Sequence, residues 1–178
     1  MRPQDILREA REKLEMPKLA YKRDALAPVM SEETVDVHYG ILTKNYVEKF
    51  NATGDEFQYA GAFLHEKLWE QFDEVARGQT QNKPDGKIKQ LIEEKFKGFD
   101  KLKEAIEEAA LKIHGSGWVY LAKSGEIKTI KNHEVKKDIL ILIDMWEHAY
   151  FLDYEADKKK YLSNIWKIIN WETINHRI

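Results

Sequence analysis

The spacing of hydrophobic and polar positions along this 178-residue chain changes period close to residue 117. Before that point apolar residues recur at helical intervals; from there to about residue 143 they alternate or run together, as in strands. Ser31 followed by Glu32 and Glu33 reads as a helix start. A hydroxyl there can accept a free backbone N–H, and acidic side chains suit the positive end of a helix. This helix is predicted to run to about Phe50 and to end in Asn51-Ala52-Thr53-Gly54. A second is predicted from about Glu56 to Ala76, with Phe57, Ala60, Leu64, Leu68 and Phe72 along its buried face. Gly78 to Gly86 is polar, contains Pro84, and reads as a linker. Ile88 to Phe96 reads as a third helix, and Asp100 as the cap of a fourth that stops at His114 before Gly115-Ser116-Gly117.

Beyond residue 117, Trp118–Leu121 and Ile127–Ile130 flank Lys123-Ser124-Gly125-Glu126, the signature of a hairpin. Ile139–Ile143 is a continuous apolar run, expected of a strand buried on both faces. A last helix is predicted over Lys158 to Asn170. The expected fold is α+β: an N-terminal α-helical hairpin, then a mixed domain with a three-stranded antiparallel sheet and surrounding helices. The expected division is a charged extension over residues 1–16, a helical domain over 17–84 and an α+β domain over 85–178.

Composition narrows the function. Hydrophobic residues make up 43% of the chain, enough for a substantial core, and charged residues 34%. A net charge of -2 points away from nucleic acid as a partner. No apolar run approaches the length of a membrane span, and the first ten residues carry no apolar signal core. With no cysteine, disulfides, thiolate ligands and iron–sulfur clusters are excluded, and a cytoplasmic location is the expectation. Any metal must be held by His, Asp, Glu or Tyr.

The apolar run ends on Asp144, and His148 follows four residues later in Asp144-Met145-Trp146-Glu147-His148-Ala149-Tyr150. Carboxylate oxygen and imidazole nitrogen together suit a first-row transition metal. His38 lies in the first predicted helix and His65 in the second, so a helical hairpin can aim both rings at one point. Three imidazoles and one carboxylate leave a coordination position for a small ligand. His65-Glu66 begins like a zinc-protease helix, but Trp69 stands where the second histidine is needed. His114 and His176 read as ordinary surface histidines, and Lys158-Lys159-Lys160 as a solvated helix start.

The run from Asp144 to Tyr150 resembles the signature of the iron/manganese superoxide dismutases, D-x-W-E-H-A-[FY]-[FY]. The resemblance extends in order from Leu19 to Arg177. Leu19–Pro28 is similar to the family's entry segment, and Val37-His38-Tyr39-Gly40 with Tyr46-Val47 to its first-ligand helix. Ala62-Phe63-Leu64-His65 with Trp69 is similar to its second-ligand helix. Phe99–Lys103, Gly115–Trp118 and Asn170-Trp171 match further blocks.

The resemblance implies disproportionation of superoxide to oxygen and peroxide at one iron or manganese ion per subunit, alternating between 3+ and 2+. It implies His38, His65, Asp144 and His148 as metal ligands, and Tyr46 as the tyrosine beside the substrate channel. His133 falls where the family places the side chain that hydrogen-bonds the solvent on the metal. Trp69, Trp118 and Trp146 match its aromatic shell. Glu147 matches the glutamate that reaches the partner's ligand histidine, with Tyr150 at the same interface, so a homodimer or tetramer is expected. Arg177 matches an arginine at the substrate funnel. Gly61 and His133 together lean toward iron. The chain departs from the family after the first ligand, where Ile41, Leu42 and Thr43 replace a basic, histidine-rich stretch and Leu42 takes the gateway position. Less positive charge at the channel mouth implies weaker steering of an anion. That departure keeps a second reading open, a metal-binding structural protein built on the same fold without the activity.

Overall fold

A computed structural model describes residues 12–74 and 82–178. The predicted extension before residue 12, the tail of the second helix beyond Glu74 and the start of the linker lie outside them. Helix α1 comprises Glu32–Val35, a π-helical stretch Asp36–Thr43, and Lys44–Thr53. Ser31 caps it as expected, its Oγ accepting from the Thr34 N–H at 3.1 Å. Gly54, with φ of 69°, ends it in the left-handed conformation that glycine adopts without steric cost. Asp55 then caps α2, Glu56–Glu70, accepting from the Gln58 N–H at 3.0 Å. Two residues thus reverse the chain and lay α2 back against α1.

The segment before α1 is docked on this hairpin. The Asn51 amide holds the backbone of Leu14 from both sides, accepting from its N–H and donating to its carbonyl at 2.9 Å each. The Tyr39 hydroxyl donates to the Pro17 carbonyl at 2.6 Å.

Helices α3, Gly86–Phe96, and α4, Phe99–Leu111, follow. Asp100 is not the cap of α4: Gly98 holds that position, and Asp100 lies in the first turn, 2.6 Å from Lys103. Strands β1, Gly117–Ala122, β2, Ile127–Lys131, and β3, Ile139–Asp144, form one antiparallel sheet in the order β2-β1-β3. The hairpin and the buried apolar strand are as predicted, and every residue of β1 and β3 is buried. Helix-bearing chain covers both faces, which is why the pattern of β3 shows no alternation. Trp118 sits opposite Asp144 across the β1–β3 pair.

A short 3-10 turn, Glu147–Ala149, leads into α5, Phe151–Tyr154, then α6, Lys158–Asn164. The predicted last helix is broken. A 3-10 turn, Ile165–Ile168, and extended Ile169 separate α6 from α7, Trp171–Arg177. The break lets Ile169 pair with Phe72 just past α2. Beside it, the Gln71 side chain acts as a strand substitute on β3. Its Oε1 accepts from the Leu142 N–H at 3.0 Å, and its Nε2 donates to the Leu142 carbonyl. The Gln71 side chain thereby fixes the end of α2 to β3. Phe57 was expected on the buried face of α2, but it is 41% exposed, with its ring against that of His133 at 4.9 Å.

Candidate metal centre

Four side chains from four stretches of chain meet at one point. His38 comes from the π-helical part of α1, His65 from α2, Asp144 from the end of β3 and His148 from the turn after it. Their ligand atoms all lie within 4.8 Å of one another. All three imidazoles direct Nε2 at the same oxygen, Asp144 Oδ2, at 3.1 Å from His38, 3.0 Å from His148 and 3.7 Å from His65. His38, His65 and Asp144 are fully buried.

The chemistry of the donors fits a cation. Nε2 of His38 and of His65 are buried without a geometrically acceptable hydrogen bond. Buried polar atoms are rarely left in that state, and unexplained ones point to an ion or a catalytic role. The His65 Nδ1–H donates to the Gly61 carbonyl at 2.7 Å, which leaves the Nε2 lone pair free for an ion. Asp144 Oδ1 accepts from the Trp146 N–H at 2.8 Å, so Oδ2 is the oxygen left over. The Tyr161 hydroxyl donates to the Asp144 carbonyl at 3.0 Å and steadies the backbone behind it.

Burial sets the charge state. It pushes His38 down to about 4 and His65 well below its ordinary value, so both rings are neutral at pH 7. Burial alone would raise Asp144, but the imidazole nitrogens of His148 and His38, 3.0 and 3.1 Å from its Oδ2, outweigh it and hold the carboxyl well below the usual range. The chain therefore offers neutral nitrogens and an ionised oxygen, the protonation state a metal needs.

The residues around this cluster form an aromatic box. Trp69 lies against His38 at 4.9 Å, Trp118 against His65 at 5.1 Å, and Trp146 stacks on both His133, at 4.6 Å, and His148, at 5.5 Å. Tyr46 stacks on His65 at 5.1 Å. Its hydroxyl is 2.9 Å from His133 Nε2. The Trp118 indole N–H is shared between the Asn132 carbonyl, at 2.9 Å, and His133 Nδ1, at 3.2 Å. An indole can only donate, so in the neutral ring Nδ1 accepts and Nε2 carries the hydrogen. His133 then donates to the Tyr46 oxygen. Burial pushes His133 down to about 4, which keeps it in that neutral form.

The structure puts the remaining sequence-predicted residues at varying distances from this centre. Glu147 is exposed beside His148. Tyr150 is only 2% exposed and packs on Tyr161 at 5.3 Å, so it offers little surface to a partner; Phe151 and Leu152, next to it, are 52% and 50% exposed. Arg177 is hydrogen-bonded elsewhere. Its guanidinium donates to the carbonyls of Lys67, at 2.6 Å, and Leu140, at 2.9 Å, joining α7 to α2 and β3. Among the described residues no hydrogen bond or ring contact links it to Tyr46 or His133.

Thr43 is the residue the sequence concealed. It reads there only as a lost basic side chain. In the structure its hydroxyl donates to the His38 carbonyl at 2.9 Å and accepts from the Trp69 indole at 3.0 Å. One buried oxygen thus ties the first histidine to the aromatic wall. The five-residue spacing of Thr43 and His38 was the available signal, and only a π-helical turn makes it meaningful.

Comparison with known proteins agrees with this geometry. Residues 13–89 match the model of the iron/manganese superoxide dismutase alpha-hairpin domain, and residues 84–177 that of the C-terminal domain. An iron superoxide dismutase of Bacteroides fragilis is 31% identical over 192 residues, covering 92% of this chain and 98% of the relative. A manganese/iron superoxide dismutase of Porphyromonas gingivalis is 33% identical with the same coverage. An iron superoxide dismutase of Salmonella typhimurium is 30% identical over 90% of this chain and 95% of its own. Matched across both domains and over nearly its whole length, this chain belongs to the iron/manganese superoxide dismutase family.

Proposed function

We propose that the protein disproportionates superoxide at one iron or manganese ion held by His38, His65, Asp144 and His148. The observation that carries the reading is the convergence of three imidazole nitrogens on one carboxylate oxygen, two of them buried without a hydrogen bond. An ion of this kind supplies the one-electron chemistry by alternating between 3+ and 2+, oxidising one superoxide and reducing the next.

The chain's own residues hold the ion and manage protons. The ionised Asp144 contributes negative charge, which favours the higher oxidation state. The His133 Nε2–H donates to Tyr46 Oη, which leaves the Tyr46 hydroxyl hydrogen free to face a substrate oxygen. Burial, then the charge of Asp144, pushes Tyr46 up to about 12, so it keeps that proton at neutral pH and acts as a donor. Peroxide formation needs two protons, and Tyr46 with His133 is the relay that can deliver them to the buried site. The rings of Tyr46, Trp69 and Trp146 packed on the three histidines argue against an organic substrate.

Iron is the preferred ion in this reading. Gly61 one turn before His65, His133 at the relay position, and the iron-named relatives support it. The active unit is a homodimer. Glu147 is exposed next to His148, whose Nδ1 has no hydrogen bond among the described residues, and the apolar Phe151 and Leu152 flank it. A glutamate from a second copy would complete that imidazole. The helical domain ends at about residue 84.

Superoxide consumption by protein loaded separately with iron and manganese tests the activity, with elemental analysis and peroxide sensitivity identifying the native ion. Loaded protein that leaves superoxide untouched would leave the metal-binding structural reading in its place. His133→Ala should keep the ion, shift its reduction potential and lower turnover at least tenfold; an unchanged rate would remove His133 from the relay.

A further inference from the structure

A second concave site lies apart from the metal centre, and none of the four donors lines it. It is a cavity of about 200 Å³ walled by Lys67 of α2, Lys123, Lys136 and Lys137 around β3, and His176 and Arg177 of α7. Five permanent cations therefore face one small volume in a chain whose net charge is -2. Only part of this charge is neutralised. Lys67 and Arg177 share Glu70, at 3.1 and 3.4 Å, and Lys136 pairs with Glu134. Lys123 and Lys137 have no ion pair among the described residues. Asp138 sits beside them in sequence, but its carboxylate accepts from Lys128 at 3.0 Å and Tyr120 at 3.2 Å instead.

Arg177 is the built element of this wall. Its side chain is only 10% exposed, and both terminal nitrogens are occupied by Lys67, Leu140, Gln71 and Glu70. Its Nε–H is buried with no partner. Arg177 thus sets a fixed positive charge in this wall, one that need not be ordered when an anion binds. The remaining wall is apolar, formed by Phe63 and Ile139. Like charges held this close repel, so an anion bound among them relieves the strain as well as gaining its own contacts.

We propose that this cavity binds a phosphate group, as inorganic phosphate or as a small phosphate monoester whose organic part rests on Phe63 and Ile139. A dianion matches the unneutralised charge, and the cavity is too small for a polymer. The inference does not depend on dismutation.

Calorimetric titration of the metal-loaded protein with inorganic phosphate and with phenyl phosphate, at low ionic strength, tests it. One saturable site per chain is expected, with phenyl phosphate the tighter ligand. Lys123→Glu/Lys137→Glu, at two exposed positions, should weaken both at least tenfold while fold and metal content are retained. Lys123→Gln/Lys137→Gln serves as the milder pair if the first fails to fold. Phosphate bound at the metal would survive either pair unchanged, so unchanged affinity overturns the proposal. Absence of saturable binding to the unmodified protein overturns it as well.

Discussion

Thr43→Val isolates what one hydroxyl contributes to the metal centre. Valine keeps the volume and the β-branch of threonine, so neither a cavity nor a large change of helix propensity enters. What is lost is an oxygen that is fully buried and bonded on two sides, to the His38 carbonyl at 2.9 Å and the Trp69 indole N–H at 3.0 Å. Leaving the buried indole donor unpaired costs about 1–3 kcal/mol, and losing the bond to the His38 carbonyl adds about 1 kcal/mol. The expected loss is therefore about 2–4 kcal/mol. For a chain of this length that corresponds to a melting temperature lower by roughly 5–15 °C. Urea denaturation of the metal-free protein is the assay, because a bound ion would mask the change. Thr43→Ser restores the oxygen and should recover most of the loss. A valine variant within about 0.5 kcal/mol of the parent would refute the argument. It would mean that the indole finds another acceptor and that the threonine does not couple His38 to Trp69.

Three further outcomes follow from particular contacts. Gly61→Ala should lower both stability and turnover, because the new Cβ would lie 2.6 Å from the Tyr46 ring; overpacking at about 1–3 kcal/mol exceeds the gain in helix propensity of about 1 kcal/mol, and a denaturation midpoint above the parent's would contradict this. Gln71→Leu should cost about 2–4 kcal/mol in the same assay, since both backbone groups of Leu142 lose their partner, and retention of the parent midpoint would show that β3 needs no such clamp. The metal-free protein should weaken in acid. His38 titrates near 6.5 when unfolded and near 4 when folded, so its contribution is complete above pH 6.5 and is lost as pH falls toward 4, by about 2 kcal/mol at pH 5. Urea midpoints equal at pH 7.5 and pH 5 would refute the neutral, buried state assigned to that ring.

What the sequence revealed and what it hid divide along physical lines. The strand Ile139–Ile143, the hairpin around Lys123–Glu126 and the capped start at Ser31 are local signals, and the structure has all three. The meeting of His38, His65, Asp144 and His148 was legible because their residue types fall on predicted elements in the order of the family the chain resembles. The features that were not legible depend on partners far away in the chain. Gln71 looks like an ordinary polar residue at a helix end, and its meaning comes from Leu142, 71 residues later. The break between α6 and α7 is set by the pairing of Ile169 with Phe72, not by a glycine or proline at that point. Phe57 keeps the helical period of the buried face, yet the site that claims its ring is His133 on another element. The π-helical turn has no compositional mark, because one extra residue per turn changes geometry without requiring a particular side chain.

Where the supporting bonds fall explains why so polar a cluster can exist in a buried position. Two neutral rings and a carboxylate out of water, without an ion, are a local weakness that hydrophobic packing cannot repair. The fold answers with bonds made behind each donor rather than at it. Thr43 holds the His38 backbone, Gly61 holds the far nitrogen of His65, and Tyr161 holds the carbonyl of Asp144. Gln71 and Arg177 then fix α2 to β3, which sets the distance between His65 and Asp144. His148 is the exception: it is the most exposed of the four and, among the described residues, has nothing on its far nitrogen. Among the described residues its ring rests on those of Trp146 and His38 for lateral support, at 5.5 and 4.6 Å. In the proposed homodimer, the exposed Glu147 of each copy would add support to His148 of the other. If the homodimer forms as proposed, weakening it should loosen His148 before it disturbs His38, His65 and Asp144.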